Sequence, residues 1–275
     1  MLRRLPGLLL WLAAVPARPE PIVELEPPRV RPGDAFLVTV RGGEAPAGRV
    51  AGRVLSFFPV AGGWRAVAAL PLEVEPGPFP VTVASGPAPL EASLDVLAAD
   101  FPERRLRVSR RFVERPPPRV RRRIAADQRA FERAFAQEPS PPLFAGPFAW
   151  PRPAEVNAGF GEIRTFNGKK ESRHYGLDLG GAMGQPVEAA PAGRVTLVRN
   201  CWASGLSIVL WHGADLHSTY FHLSRARVRE GQEVGRGQVI GLVGRSGRVT
   251  GPHLHWGVKV GELHVDPESV LRLPF

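Results

Sequence analysis

Four of the seven histidines in this chain, together with one aspartate, fall on three short segments. His174 and Asp178 lie in Arg173-His174-Tyr175-Gly176-Leu177-Asp178. His222 lies in Thr219-Tyr220-Phe221-His222-Leu223, and His253 and His255 lie in Gly251-Pro252-His253-Leu254-His255-Trp256. Imidazole and carboxylate are the groups that hold zinc in hydrolytic sites, where three protein ligands leave a fourth position for water. Residues 249–260 read as a strand, and alternate side chains of a strand share a face, so His253 and His255 point the same way. The even separation of His174 and Asp178 puts both on one side of an extended segment, and Gly176 with Gly180-Gly181 argues against a helix there. His174, Asp178 and one histidine of the HxH pair would supply three ligands. The other two imidazoles would stand beside the reacting water, where protons move and an oxyanion needs stabilising.

The elements that must position these residues are nearly all strands. Apolar, β-branched runs at 187–190, 194–199, 206–211, 216–223, 239–243, 253–260 and 263–265 are mostly separated by Gly, Pro or Asn. HxxxD, a lone His on an intervening strand and then HxH, in that order, resembles the LytM/lysostaphin-type zinc endopeptidases of family M23. The similarity runs from about Pro151 to Pro267. It includes Gly-Leu-Asp-Leu at 176–179, Pro-Val-Glu-Ala-Ala-Pro-Ala-Gly-Arg-Val at 186–195 and Gly-Arg-Val-Thr-Gly-Pro-His-Leu-His-Trp-Gly-Val at 247–258. The resemblance implies zinc ligands His174, Asp178 and His255, a catalytic pair His222 and His253, and peptidoglycan stem peptides or cross-bridges as substrate. A non-catalytic envelope regulator that activates amidases through the same fold is the alternative; such relatives usually lack metal ligands, and all five positions stand intact here. His212, His217 and His264 match no motif and read as surface or hydrogen-bonded histidines. The segment 230–240 is similar to biotinyl and lipoyl carrier domains, but no acceptor lysine lies between Lys170 and Lys259.

Upstream of this domain the chain divides further. Residues 1–17 read as a secretory signal: Arg3-Arg4, an apolar run from Leu5 to Val15, and Val15-Pro16-Ala17 as cleavage site. That run is shorter than a bilayer span, so the mature protein is expected to begin near Arg18, outside the cytoplasm, in the periplasm, envelope or medium. Residues 20–100 alternate short apolar runs with turn signals such as Pro32-Gly33-Asp34 and Gly62-Gly63, predicting an immunoglobulin-like β-sandwich. It contains no His, so it is expected to be separable from catalysis, with a C-terminal unit starting near Pro139 active alone. Residues 101–145 read as a basic, Pro-rich linker. Within it Val120, Ile124, Phe131 and Phe135 form one stripe of an amphipathic helix that packs on a neighbouring domain. Residues 146–275 are then the catalytic domain, in a mainly β protein.

Composition bounds the partners. The net charge is +10, carried by Arg, since Lys169, Lys170 and Lys259 are the only lysines. Acidic envelope polymers are a natural counter-surface; nucleic acid is not, because aromatic and basic residues are not interleaved as in an RNA-binding sheet. Cys201 is the only cysteine, which rules out an internal disulfide and leaves it to pack as a small apolar residue. A monomer is expected, with no transmembrane segment once the signal is removed.

Overall fold

The computed structural model of the chain describes residues 20–86 and 88–275; the expected signal at 1–17 lies outside them. The first part holds strands β1 (Ile22–Glu26), β2 (Arg29–Val30), β3 (Ala35–Arg41), β4 (Ala47–Val50) and β5 (Arg53–Val54). It continues with β6 (Phe58–Val60), β7 (Gly63–Ala69), β8 (Gly77–Ala84) and β9 (Pro89–Val96). They form two sheets, β1-β3-β7-β6 and β2-β9-β8-β4-β5, facing each other across one core. Alternation decides who faces whom. From β3 and β7, Phe36, Val38, Val40, Ala66 and Ala68 point into that core, against Val81, Val83, Leu94 and Val96 of the other sheet.

The residues between them, Ala35, Leu37, Val67 and Ala69, point the opposite way into the core of the C-terminal part. A sheet covered on both faces needs apolar residues at successive positions. This is why Phe36-Leu37-Val38 runs on without the polar alternation of a solvated strand. Hydrogen bonds seal the contact: Asp266 N–H donates to the Gly33 carbonyl at 2.8 Å, and Ala35 N–H to the Ser269 side-chain Oγ at 2.9 Å. Gly33, at φ +88°, is packed so that a Cβ would sit 2.5 Å from the Phe160 ring. The sandwich is therefore docked rather than strung on a tether. A chain starting at residue 139 is expected to have a Tm several degrees lower and to bind a hydrophobic dye, because it bares the surface that Leu37 and Val67 cover. Equal melting of full-length and shortened chains would refute this.

The connector is likewise ordered. Strand β10 (Glu103–Leu106) pairs in parallel with a strand of the C-terminal part, and helix α1 (Pro118–Phe135) lies across its sheet. Pro117 and Pro118 at its start fit a helix, where no N–H is needed. The predicted stripe of Val120, Ile124, Phe131 and Phe135 is only half-buried. The buried line is Asp127, Ala130 and Ala134, small enough to let the helix approach Leu197 and Val209 closely, with the two phenylalanines flanking it. Asp127 is neutralised there by Arg199 Nε at 2.7 Å and accepts the Trp202 N–H at 2.8 Å.

The C-terminal part begins with β11 (Val156–Ala158), β12 (Ile163–Phe166), β13 (Lys170–Arg173), β14 (Leu177–Gly180) and β15 (Pro186–Glu188). Then follow β16 (Gly193–Cys201), β17 (Gly205–Trp211), β18 (Leu216–Leu223), β19 (Arg225–Ala226), β20 (Glu233–Val234) and β21 (Val239–Leu242). Strands β22 (His253–Val260) and β23 (Leu263–Val265) and the short helix α2 (Pro267–Leu271) close the chain. The main sheet runs β11-β14-β22-β18-β17-β16-β20, with β23 beside β22. One face packs Leu177, Leu179, Tyr220, Leu254 and Trp256 into the core. The other face carries the histidines.

Candidate metal centre

Three adjacent strands bring the site together through their register. Asp178 on β14 lies opposite His255 on β22, and His255 lies opposite Phe221 on β18. Directly paired residues point to the same face, so Asp178, His255 and Phe221 share it, and His253, two residues from His255, shares it as well. His174 is placed otherwise than its even spacing suggests. It sits in the corner between β13 and β14, and the chain turns rather than running extended. Gly176 makes the corner possible, since a Cβ there would lie 2.5 Å from the Trp256 carbonyl and 2.8 Å from His255 Nε2.

His222 also departs from strand alternation. It follows Phe221 on β18 and would point to the buried face. Its φ of +64°, in the left-handed region, turns it back to the site. The β17–β18 ladder shifts register nearby, and the His222 N–H leaves it to bond the Ser204 carbonyl at 2.9 Å. A non-glycine residue in that region carries strain of order 1 kcal/mol, tolerated where the surroundings over-determine it.

The geometry states which ring nitrogens are free. His174 Nδ1 donates to the Gly159 carbonyl at 2.7 Å, His222 Nδ1 to the Ser246 carbonyl at 2.8 Å, and His253 Nδ1 to the Gly251 carbonyl at 3.0 Å. A carbonyl only accepts, so in the neutral imidazole each Nε2 is left with its lone pair. His174 Nε2 faces Asp178 Oδ1 at 2.9 Å and His255 Nδ1 at 2.9 Å, and the last two atoms are 3.0 Å apart. Three electron-rich atoms thus form a triangle that a single proton on His255 cannot satisfy. Tetrahedral bonds of about 2.0–2.1 Å to N and O space their ligands by about 3.3 Å, so the triangle is within a small relaxation of holding a divalent metal ion. His253 Nε2 stands 3.6 Å from Asp178 Oδ1, outside the triangle. His222 is ring-to-ring with His253 at 5.0 Å.

Electrostatics favour the same arrangement. Burial opposes the charged form of Asp178, but the His174 and His255 contacts outweigh it and hold the carboxyl well below the usual range. Burial, then its neighbouring imidazoles, pushes His222 down to about 3, and burial pushes His255 down to about 4. Both are unprotonated at neutral pH.

Two supporting residues carried no sequence signal. Arg164 on β12 donates to Asp178 Oδ2 at 2.8 Å and to Glu162 Oε1 at 2.6 Å, which leaves Oδ1 turned to the histidines. Phe221 stacks on the His255 ring at 5.3 Å and 7°, and Phe131 of α1 backs it edge-on at 5.6 Å. The basic connector thus supports a site residue and, through Arg104, Leu106 and Val108, lines the groove of about 610 Å³ that holds the cluster. Among the described residues no part of the sandwich lines it. His212 and His217 are buried away from the groove, the first bonded to the Ala192 carbonyl and Ser218 and the second beneath Phe135. His264 is closer to the site than its sequence suggests: it lines the groove and stacks on Tyr175 at 5.0 Å.

The loop over His222 rests on Gly247, at φ +82°, where a Cβ would lie 2.4 Å from the Ala203 carbonyl. Gly247→Ala is expected to shift Ser246 and release the His222 ring. Turnover should drop at least tenfold while metal content stays stoichiometric; unchanged turnover would show that the loop does not orient the ring.

Residues 172–267 match the family model described as peptidase family M23. The chain is 44% identical over 88 residues to the peptidoglycan DD-endopeptidase ShyA of Vibrio cholerae, which covers 32% of this chain and 20% of that protein. The DD-carboxypeptidase/endopeptidase Mpg of Neisseria meningitidis is 37% identical over 97 residues, 35% of this chain and 22% of its own length. The chain thus spans about a fifth of the length of these curated relatives. A crystal structure from Pseudomonas aeruginosa named for peptidase M23 superposes with a TM-score of 0.66 at 27% identity, covering 87% of this chain and 94% of its own. That likeness takes in the N-terminal sheets as well as the histidine-bearing one.

Proposed function

We infer that this chain, whose residues 172–267 match the family model described as peptidase family M23, is a zinc endopeptidase hydrolysing peptide bonds in peptidoglycan stem peptides or cross-bridges. The observation that carries this reading is the triangle of His174 Nε2, Asp178 Oδ1 and His255 Nδ1, flanked by the free Nε2 atoms of His222 and His253. An ion held there supplies a Lewis acid for the scissile carbonyl and acidifies water. The protein's own groups supply the rest. The Gly159 carbonyl fixes the tautomer of His174, Arg164 fixes the rotation of the Asp178 carboxylate, and Phe221 fixes the plane of His255. His222 and His253, with protons locked on Nδ1, offer Nε2 to accept a proton from water and to return it to the leaving amine. As the imidazolium forms, it also stabilises negative charge developing on the carbonyl oxygen.

The setting this reading requires is outside the cytoplasm. The signal-like start of the sequence and the peptidoglycan-directed names of the relatives support it. Among the described residues no helix is long and apolar enough to cross a membrane. The decisive experiment pairs metal analysis of the purified chain with digestion of purified peptidoglycan and identification of the new termini. New amino and carboxyl termini that appear with zinc and vanish on chelation are the expected result. Peptidoglycan left intact by zinc-loaded protein would favour an envelope regulator instead.

A further inference from the structure

Four arginines line the groove, Arg104, Arg164, Arg173 and Arg248, against one carboxylate, Asp178. Three of the four are engaged within the protein. Arg164 bridges Glu162 and Asp178. Arg104 donates to the Asn157 carbonyl at 3.1 Å and lies 3.6 Å from Glu162. Arg173 donates to the Gly161 carbonyl at 3.0 Å and lies over the Phe101 ring.

Arg248 differs. Among the described residues no carboxylate lies within 4 Å of its guanidinium, and its side chain makes no hydrogen bond there. Its backbone N–H is tied to the Ala203 carbonyl at 2.7 Å, and its guanidinium carbon lies 4.4 Å above the Phe166 ring. The group is thus held over the ring and at a fixed root, so less conformational freedom remains to be lost on binding. Burial, and then the nearby Arg164, work against its charge. A half-buried cation with a cationic neighbour and no counter-ion is an arrangement that an incoming anion relieves. The planar fork of a guanidinium matches a carboxylate through two parallel hydrogen bonds.

We propose that Arg248 forms a carboxylate-binding subsite, and that the substrate is a peptide with a free carboxylate beside the scissile bond rather than an uncharged glycine bridge. The proposal rests on the endopeptidase reading and narrows it to acidic stem peptides. Arg248 lies two residues from Ser246, whose carbonyl orients His222, so the loop that receives the carboxylate also positions a proton-transfer group. The surplus positive charge of the groove adds attraction at a distance, weakened by salt.

The test uses the zinc-loaded full chain and three peptides: a stem-type peptide with a free carboxylate beside the target bond, its carboxamide, and pentaglycine. The carboxylate peptide is expected to be hydrolysed with about 10- to 100-fold higher kcat/KM than the carboxamide, chiefly through KM, the scale of a charge-assisted bidentate contact. Arg248→Gln should lower kcat/KM on the carboxylate peptide about 10- to 100-fold more than on the carboxamide, and Arg248→Lys should restore part of that difference. Equal rates on acid and amide in the native chain overturn the proposal. So does an equal loss on both peptides in Arg248→Gln, which would mark the residue as packing on Phe166 only. Should none of the peptides be cleaved, the endopeptidase reading fails separately, and equilibrium titration of acid and amide then decides the subsite. Tighter binding of the acid that Arg248→Gln removes supports it, and equal or absent binding overturns it.

Discussion

Replacing His174, Asp178 or His255 by alanine is expected to abolish tight zinc retention and peptide hydrolysis together. Each contributes one corner of a triangle whose sides are 2.9–3.0 Å, and two remaining corners cannot hold the ion against water. The three variants should nevertheless differ in stability. Asp178→Ala strips Arg164 of one of its two carboxylate partners, at 2.8 Å, and leaves the second, Glu162, to hold it alone, whereas His174→Ala keeps that ion pair and leaves the Gly159 carbonyl without its donor. Losing one partner of a buried ion pair is the more damaging change, so Asp178→Ala should melt lowest of the three. Asp178→Asn preserves the shape and a hydrogen bond but not the charge, and should fold better while still binding zinc poorly. Metal content by mass spectrometry, hydrolysis of purified peptidoglycan and thermal melting, measured on the same preparations, check all of this. A stoichiometric zinc in Asp178→Ala would remove that residue from the ligand set.

The members of the His–Asp cluster were legible in the sequence because each motif is local and the chemistry restricts its members. His253 and His255 on one strand face follow from a period of two, and the structure places them so. The convergence of β14, β22 and β18 is a long-range fact that spacing within a motif cannot supply. The same holds for Arg164, which looks like any other arginine of a basic chain and acquires its role from the turn that folds β12 back beside Asp178. His222 shows a different limit. Reading it as an ordinary strand residue would have aimed it into the core, and only the left-handed backbone at 222 brings it round. The strands at 163–166 and 170–173 carry charged side chains that hide any apolar period, so neither is marked by the pattern that marks the strands after them. In the helix, the large apolar residues drew attention to Phe131 and Phe135, while the residues buried against Leu197 and Val209 are Ala130 and Ala134. Close approach to a sheet selects for small size, which hydrophobic patterning reads as weak. The docking of the sandwich left one sequence trace, the unbroken apolar run at Phe36-Leu37-Val38, whose second face is explained by a second core.

His222→Ala and His253→Ala are expected to keep a full complement of zinc while turnover falls by roughly 10²-fold or more, the scale on which positioned acids and bases act. Neither ring belongs to the triangle, and His253 Nε2 is 3.6 Å from Asp178 Oδ1. Their Nδ1–H groups are bound to the carbonyls of Ser246 and Gly251, so the two Nε2 lone pairs are what the variants delete. The backbone at 222 makes a control necessary, because alanine at φ +64° keeps the strain and gives up the ring that helped to hold it. His222→Asn tolerates that conformation better and offers no comparable base; it should be as inactive as His222→Ala but more stable. If lost activity came from local unfolding, the asparagine variant would recover it. Zinc content and hydrolysis on both pairs settle the roles of the HxH motif as well. Should His253→Ala lose its zinc while His255→Ala keeps it, the two histidines exchange places, and the ligand set closes on the outer histidine rather than on the one paired with Asp178.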